Sequence, residues 1–106
     1  MVTAEQIRQG KVLAVNAGQA MYQQIGDRDA CGFGWVEVYV DRTNSKQAKE
    51  LIAAGFRKDY KPKCLSMWDP AGLPTQSVSV KEAGAEAYAT YLRSLGLNAY
   101  SGSRLD

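Results

Sequence analysis

Glu37 stands among aromatic side chains. In "DACGFGWVEVYVD", Asp29 to Asp41, alternation on a strand puts Val36, Val38 and Val40 on one face and Phe33, Trp35, Glu37 and Tyr39 on the other. A carboxyl among rings is where a raised pKa and acid–base work are expected, with Asp41, Asp59 or Asp69 as a second carboxylate. The plainer reading is an ion pair with a lysine such as Lys58 across strands. A second candidate is Cys31 as a thiol nucleophile, which needs a cation, an imidazole or a helix N-terminus to lower its pKa. The neighbouring Asp27 and Asp29 would act in the opposite direction.

The chain contains no histidine, which removes Ser-His, Cys-His and His-metal chemistry. Two cysteines cannot complete a structural zinc site, so no metal and no cofactor is expected. Cys31 and Cys64 read as reduced, buried thiols. Gly26, Gly32 and Gly34 match neither phosphate-loop pattern.

A third constellation is "FRKDYKPK", Phe56 to Lys63. Arg57, Lys58, Lys61 and Lys63 against Asp59 leave a local charge of +3, interleaved with Phe56 and Tyr60. Cations neutralise phosphates and rings stack on bases. A basic hairpin is more often a solvated sheet edge kept from pairing with its neighbours. Net charge is only +2 across 106 residues, so clustering matters more than the total.

These residues need a scaffold. The length gives one domain, and the balance of 45% hydrophobic and 23% charged residues is that of an ordinary globular chain. "MVTAEQIRQGKVLAV" has no continuous apolar run, so neither a signal-peptide core nor a membrane span is expected there, and no membrane partner. The expected location is the cytoplasm.

Thr3 with Gln6 is a capping box that predicts a helix from Ala4 to Ile25, ended by Gly26. Ile7, Ala14, Met21 and Ile25 form its apolar row, and Gly10, Ala14, Ala17 and Gly18 leave one side bare, for packing on a sheet or docking another chain. A strand is expected at Phe33–Val40. A helix follows, capped by Asn44 or Ser45, with Ala48, Leu51 and Ile52 inward and Gly55 at its end. Phe56–Tyr60 and Lys63–Trp68 read as strands about a turn at Pro62, and "WDPAGLPT" as a loop.

Ser79 with Glu82 marks the start of the last helix, which buries Val80, Ala83, Ala87, Tyr91, Leu92 and Leu95 before Gly96. "LNAYS" is a last strand, and residues 102–106, "GSRLD", a frayed tail. After the first helix the order is βαββαβ, which predicts an α+β, ferredoxin-like split βαβ sandwich with a four-stranded antiparallel sheet. Its two later helices would cover the valine row, leaving the aromatic row for the first helix, a partner protein or a stacked base.

"CGFGWVEVY", Cys31 to Tyr39, resembles the signature of RNA-recognition-motif domains, in which strand aromatics stack on bases. Gly32, Phe33, Gly34 and Val36 fit, and Trp35 keeps an aromatic. Cys31 replaces the basic residue, and the signature here falls on the first strand instead of the third.

Taken whole, "CGFGWV", "NSKQAKELIAAG", Trp68 with the polar loop to Gln76, "KEAGAEAYA" and "AYSGSRLD" resemble a group of small accessory or virion-associated proteins of tailed bacteriophages. That resemblance implies a chain made in a bacterial cytoplasm that binds a host factor or a virion protein. Phe33, Trp35, Glu37, Tyr39 and Trp68, with the hairpin residues Arg57, Lys58, Tyr60, Lys61 and Lys63, are the expected contact set of a non-enzymatic binding module. A single-stranded nucleic acid is the alternative partner, a homo-oligomer a variant, and a small enzyme using Glu37 or Cys31 the third reading.

Overall fold

A computed structural model of the chain describes residues 1–26 and 28–106; the aspect of the Cys31 reading that rests on Asp27 lies outside the described residues. The elements run α1 (Ala4–Ile25), β1 (Gly32–Tyr39), α2 (Lys46–Ala53), β2 (Arg57–Lys58), β3 (Cys64–Trp68), α3 (Val78–Ser94) and β4 (Asn98–Leu105). The architecture is α+β: an N-terminal helix followed by a four-stranded antiparallel sheet of order β2-β3-β1-β4 with helices on one face. Among the described residues, no helix is long and apolar enough to cross a membrane.

The capping box forms as expected: the Gln6 amide donates to Thr3 Oγ1, and the Gln6 side chain accepts from the Thr3 amide. Gly26, at φ 61°, ends the helix in backbone that other residues rarely adopt. Its bare side packs on α3, not on the sheet. Gly10 lies against the Tyr88 ring, and Gly18 against Ala71 and Leu73. The Tyr88 hydroxyl donates to the Ile7 carbonyl at 2.7 Å, satisfying a buried polar group inside that contact. The start of the chain is strapped to α2, where Gln47 bonds both main-chain groups of Val2 and Glu50 accepts from the Ala4 amide.

Several expected positions shift. Ser77, not Ser79, caps α3, accepting from the Val80 amide. The boundary is set from outside the helix: the Asp29 carboxylate accepts from Ser77 Oγ and the Ser79 amide, so Ser79 lies already within the first turn. The buried stripe of α3 is Val80, Lys81, Gly84, Ala85, Tyr88, Ala89 and Leu92. Ala83, Ala87 and Tyr91 are only half-buried and line a shallow groove with Leu13. A helix held between α1 and the sheet buries a face for each, and that rotates the buried stripe.

Ile52 is exposed while Ala48 and Leu51 are buried, because α2 is two turns long and rests on the core along one side. The strand expected at Phe56–Tyr60 is only Arg57–Lys58; Phe56 turns into the core against Tyr88. Residues 102–105 are not a frayed tail: β4 pairs with β1 continuously, from Asn98↔Tyr39 to Leu105↔Gly32.

Val36 and Val38 are fully buried under the helices. Gly32 and Gly34 continue that row, and α3 comes so close that a Cβ on Gly34 would stand 2.7 Å from the Lys81 carbonyl carbon. One cluster joins Ile7, Ala14, Val36, Val38, Leu51, Phe56, Leu65, Tyr88 and Leu92. All three helices meet it from the same side of the sheet, and the aromatic row faces the other way.

Candidate binding face

Strand register decides which side chains share the open face. Directly opposite residues of antiparallel strands point the same way. Trp35 lies opposite Trp68 and Gly102, Glu37 opposite Ser66 and Tyr100, Phe33 opposite Arg104, and Tyr39 opposite Cys64 and Asn98. Arg57 of β2 joins them through its pairing with Ser66, whereas Lys58 pairs with Leu65 and belongs to the helix-side row.

The rings pack on one another. The Trp35 and Trp68 centroids are 4.6 Å apart in a stacked arrangement with planes at 24°, and Phe33 meets Trp68 edge-on at 6.0 Å. Trp35 also covers Gly102, where an added Cβ would stand 2.5 Å from the indole. The Arg104 guanidinium lies 5.2 Å from the Phe33 centroid and 5.7 Å from that of Trp68, within cation–π range. Tyr39 meets Tyr100 edge-on at 6.1 Å.

Glu37 sits at the centre of this face with its carboxylate fully engaged. Oε1 accepts from the Trp35 indole at 2.8 Å and from Lys61 Nζ at 2.7 Å, and Oε2 accepts from the Tyr39 hydroxyl at 2.9 Å. The lysine that pairs with Glu37 is therefore Lys61, not Lys58, because the turn after β2 carries Lys61 back over the sheet. Burial alone would raise the carboxyl, but the bonds from Lys61, Trp35 and Tyr39 outweigh it and hold it below its ordinary value. An acid kept protonated for catalysis needs the opposite shift. Among the described residues, no hydrogen bond joins Glu37 to Asp41, Asp59 or Asp69.

The same bond raises Tyr39 and Lys61, since each donates to the carboxylate. Cys64 is buried, and burial pushes its thiol up to about 11, making it unreactive as a nucleophile. Cys31 is exposed, contrary to the expectation that both thiols are buried, because its carbonyl and the bridge to Ser77 hold it at the rim of the sheet. Among the described residues no group of three or more His, Cys, Asp or Glu side chains is arranged to hold a metal ion.

Of the hairpin residues, Arg57, Lys58 and Tyr60 border one cleft of about 470 Å³ with Ser66, Met67 and Trp68, whereas Lys61 turns to Glu37. Tyr60 is 90% exposed, and Lys63 is exposed with φ 58°. Trp68 is 48% exposed at the end of β3. Tyr100 and Arg104 belong to the face although sequence reasoning missed them; the period-two pattern within the expected last strand would have found Tyr100, and continuing it past Ser101 would have found Arg104. No protein-family model, curated protein or solved structure matches this chain.

Proposed function

We propose that the chain is a non-enzymatic binding module that docks another protein on the open face of its sheet, onto a patch of apolar side chains rimmed by carboxylates. The carrying observation is that α3 packs on the valine side of β1, so on the opposite face Trp68, beside Arg104, and Tyr100 stay about half exposed. Tryptophan, tyrosine and arginine supply most of the energy of protein interfaces. Glu37 is neutralised within the face by Lys61, while Arg57 and Arg104 make no ion pair among the described residues, so the charge left to complement is positive.

Single-stranded nucleic acid is the second reading, favoured by exposed Arg57, Lys58 and Lys63. A base needs a free ring face to stack on. Trp35 is already occupied by Gly102 and Trp68, and Trp68 by Trp35 and Arg104, with a carboxylate beside them. That arrangement supports a protein partner.

We infer further that the scaffold is the ferredoxin-like split βαβ arrangement. β1 and β2 each pair antiparallel with β3, which lies between them, and β4 flanks β1.

The experiment compares proteins retained by the immobilised chain, by Arg57→Ala/Trp68→Ala and by the helix-side variant Glu86→Ala, with nuclease added throughout. A protein held by the parent and Glu86→Ala but lost from the double variant supports the reading. A partner that all three retain, or one that nuclease releases, contradicts it.

A further inference from the structure

The two edges of the sheet are built differently. β2 is two residues long, carries Arg57 and Lys58, and runs into a turn containing Pro62. Short charged edges resist pairing with other chains. β4, at the opposite edge, is eight residues long, pairs with β1 without a bulge, contains no proline and carries one charge, Arg104.

Hydrogen-bond alternation shows which main-chain groups of β4 face out. The Val40 amide donates to the Lys63 carbonyl, and the Gly34 carbonyl accepts from the Asp69 amide. Even-numbered residues of β1 therefore address β3, and odd-numbered ones address β4. Their partners Asn98, Tyr100, Gly102 and Arg104 turn inward, so Ala99, Ser101, Ser103 and Leu105 turn N–H and C=O away from the sheet. Arg93 meets the Ala99 carbonyl at 2.9 Å. Among the described residues, the outward main-chain groups of Ser101, Ser103 and Leu105 meet no other strand.

We propose that this edge pairs with the same edge of a second copy of the chain, β4 against β4 about a two-fold axis at Gly102, joining two four-stranded sheets into one. A strand meeting itself antiparallel must match outward residues with outward residues. An axis at Gly102 does so, setting Ser101 opposite the second copy's Ser103 and Ala99 opposite its Leu105. On the open face the same register sets Arg104 opposite the second copy's Tyr100, and Asn98 opposite its Asp106.

Opposite side chains in such pairs lie about 4.5–5.5 Å apart, close enough for a cation to meet a ring and an amide to meet a carboxylate. Symmetry makes each contact twice, and no like charges face each other. An unrelated extended segment would satisfy the backbone equally well, but a second copy also brings the complement to Arg104 and Tyr100. The pairing rests on the β4 main chain and shares only Tyr100 and Arg104 with the protein-partner reading of the open face, which centres on Trp68 and Arg57.

Sedimentation equilibrium of the full chain and of Ser101→Pro, over a wide concentration range, tests it. Proline is tolerated at this position because the N–H it removes points away from β1. The parent is expected to shift from monomer to dimer mass as concentration rises. Ser101→Pro is expected to stay monomeric with an unchanged far-ultraviolet circular dichroism spectrum. Independently of any variant, the Ser101 and Ser103 amides, whose opposite carbonyls Arg93 leaves open, are expected to exchange with solvent more slowly in concentrated than in dilute parent protein. A parent that is monomeric throughout overturns the proposal, as does a dimer in which those amides exchange at their dilute rate.

Discussion

Lys61 places its ammonium 2.7 Å from Glu37 Oε1, closing a cluster in which one carboxylate accepts from an ammonium, an indole and a phenol. The pair ties the hairpin to the centre of the open face. It also answers how a carboxylate sits among aromatics without a raised pKa: three donors offset the loss of water.

Glu37→Gln should destabilise the fold by about 1–3 kcal/mol, the usual cost of leaving buried donors poorly matched. The amide keeps the shape but turns an NH₂ group towards one of the three donors. Lys61→Met should cost less, since Lys61 is more than a third exposed and its partner keeps two donors. Urea denaturation of the two variants beside the parent checks the order.

Acid should weaken the fold through two carboxylates. Asp29 is held at about 2 by its bonds from Ser77 and Ser79, and Glu37 is also depressed. A group whose folded pKa lies below its unfolded one stabilises above the unfolded value, and that contribution is lost as pH falls through the folded one. The difference in urea midpoint between parent and Asp29→Asn should be full above about pH 5 and shrink towards pH 2.

Gly10→Ala should destabilise although alanine favours helices by about 1 kcal/mol over glycine. Its Cβ would stand 2.4 Å from the Tyr88 ring, which is fully buried and fixed by its bond to Ile7. Overpacking of this kind costs about 1–3 kcal/mol, so thermal denaturation should show a lower midpoint.

The parts of the fold legible in the sequence are those whose cause is local. Thr3 and Gln6 cap α1 through residues three apart, and alternation alone separates Val36 and Val38 from Trp35 and Tyr39. The start of α3 was not legible, because Asp29 reaches Ser77 and Ser79 from another part of the chain, while Ser79 with Glu82 imitates a capping box. The length of β4 was hidden by Ser101, Gly102 and Ser103, poor strand formers that pair because β1 offers a complete ladder and Trp35 covers the glycine. Within the open face, Trp35, Glu37, Tyr39 and Trp68 could be read from spacing. Lys61 as the partner of Glu37 could not, since it depends on how the turn folds back.

The open face as a docking surface for protein is tested most directly by a photo-crosslinking residue placed at Trp68, with Thr90 on the exposed side of α3 as the control, in the cells that make the protein. Position 68 should yield a nuclease-resistant covalent adduct with another protein, and position 90 none. An adduct formed from position 90 and not from 68, or one from 68 that nuclease removes, would contradict the account.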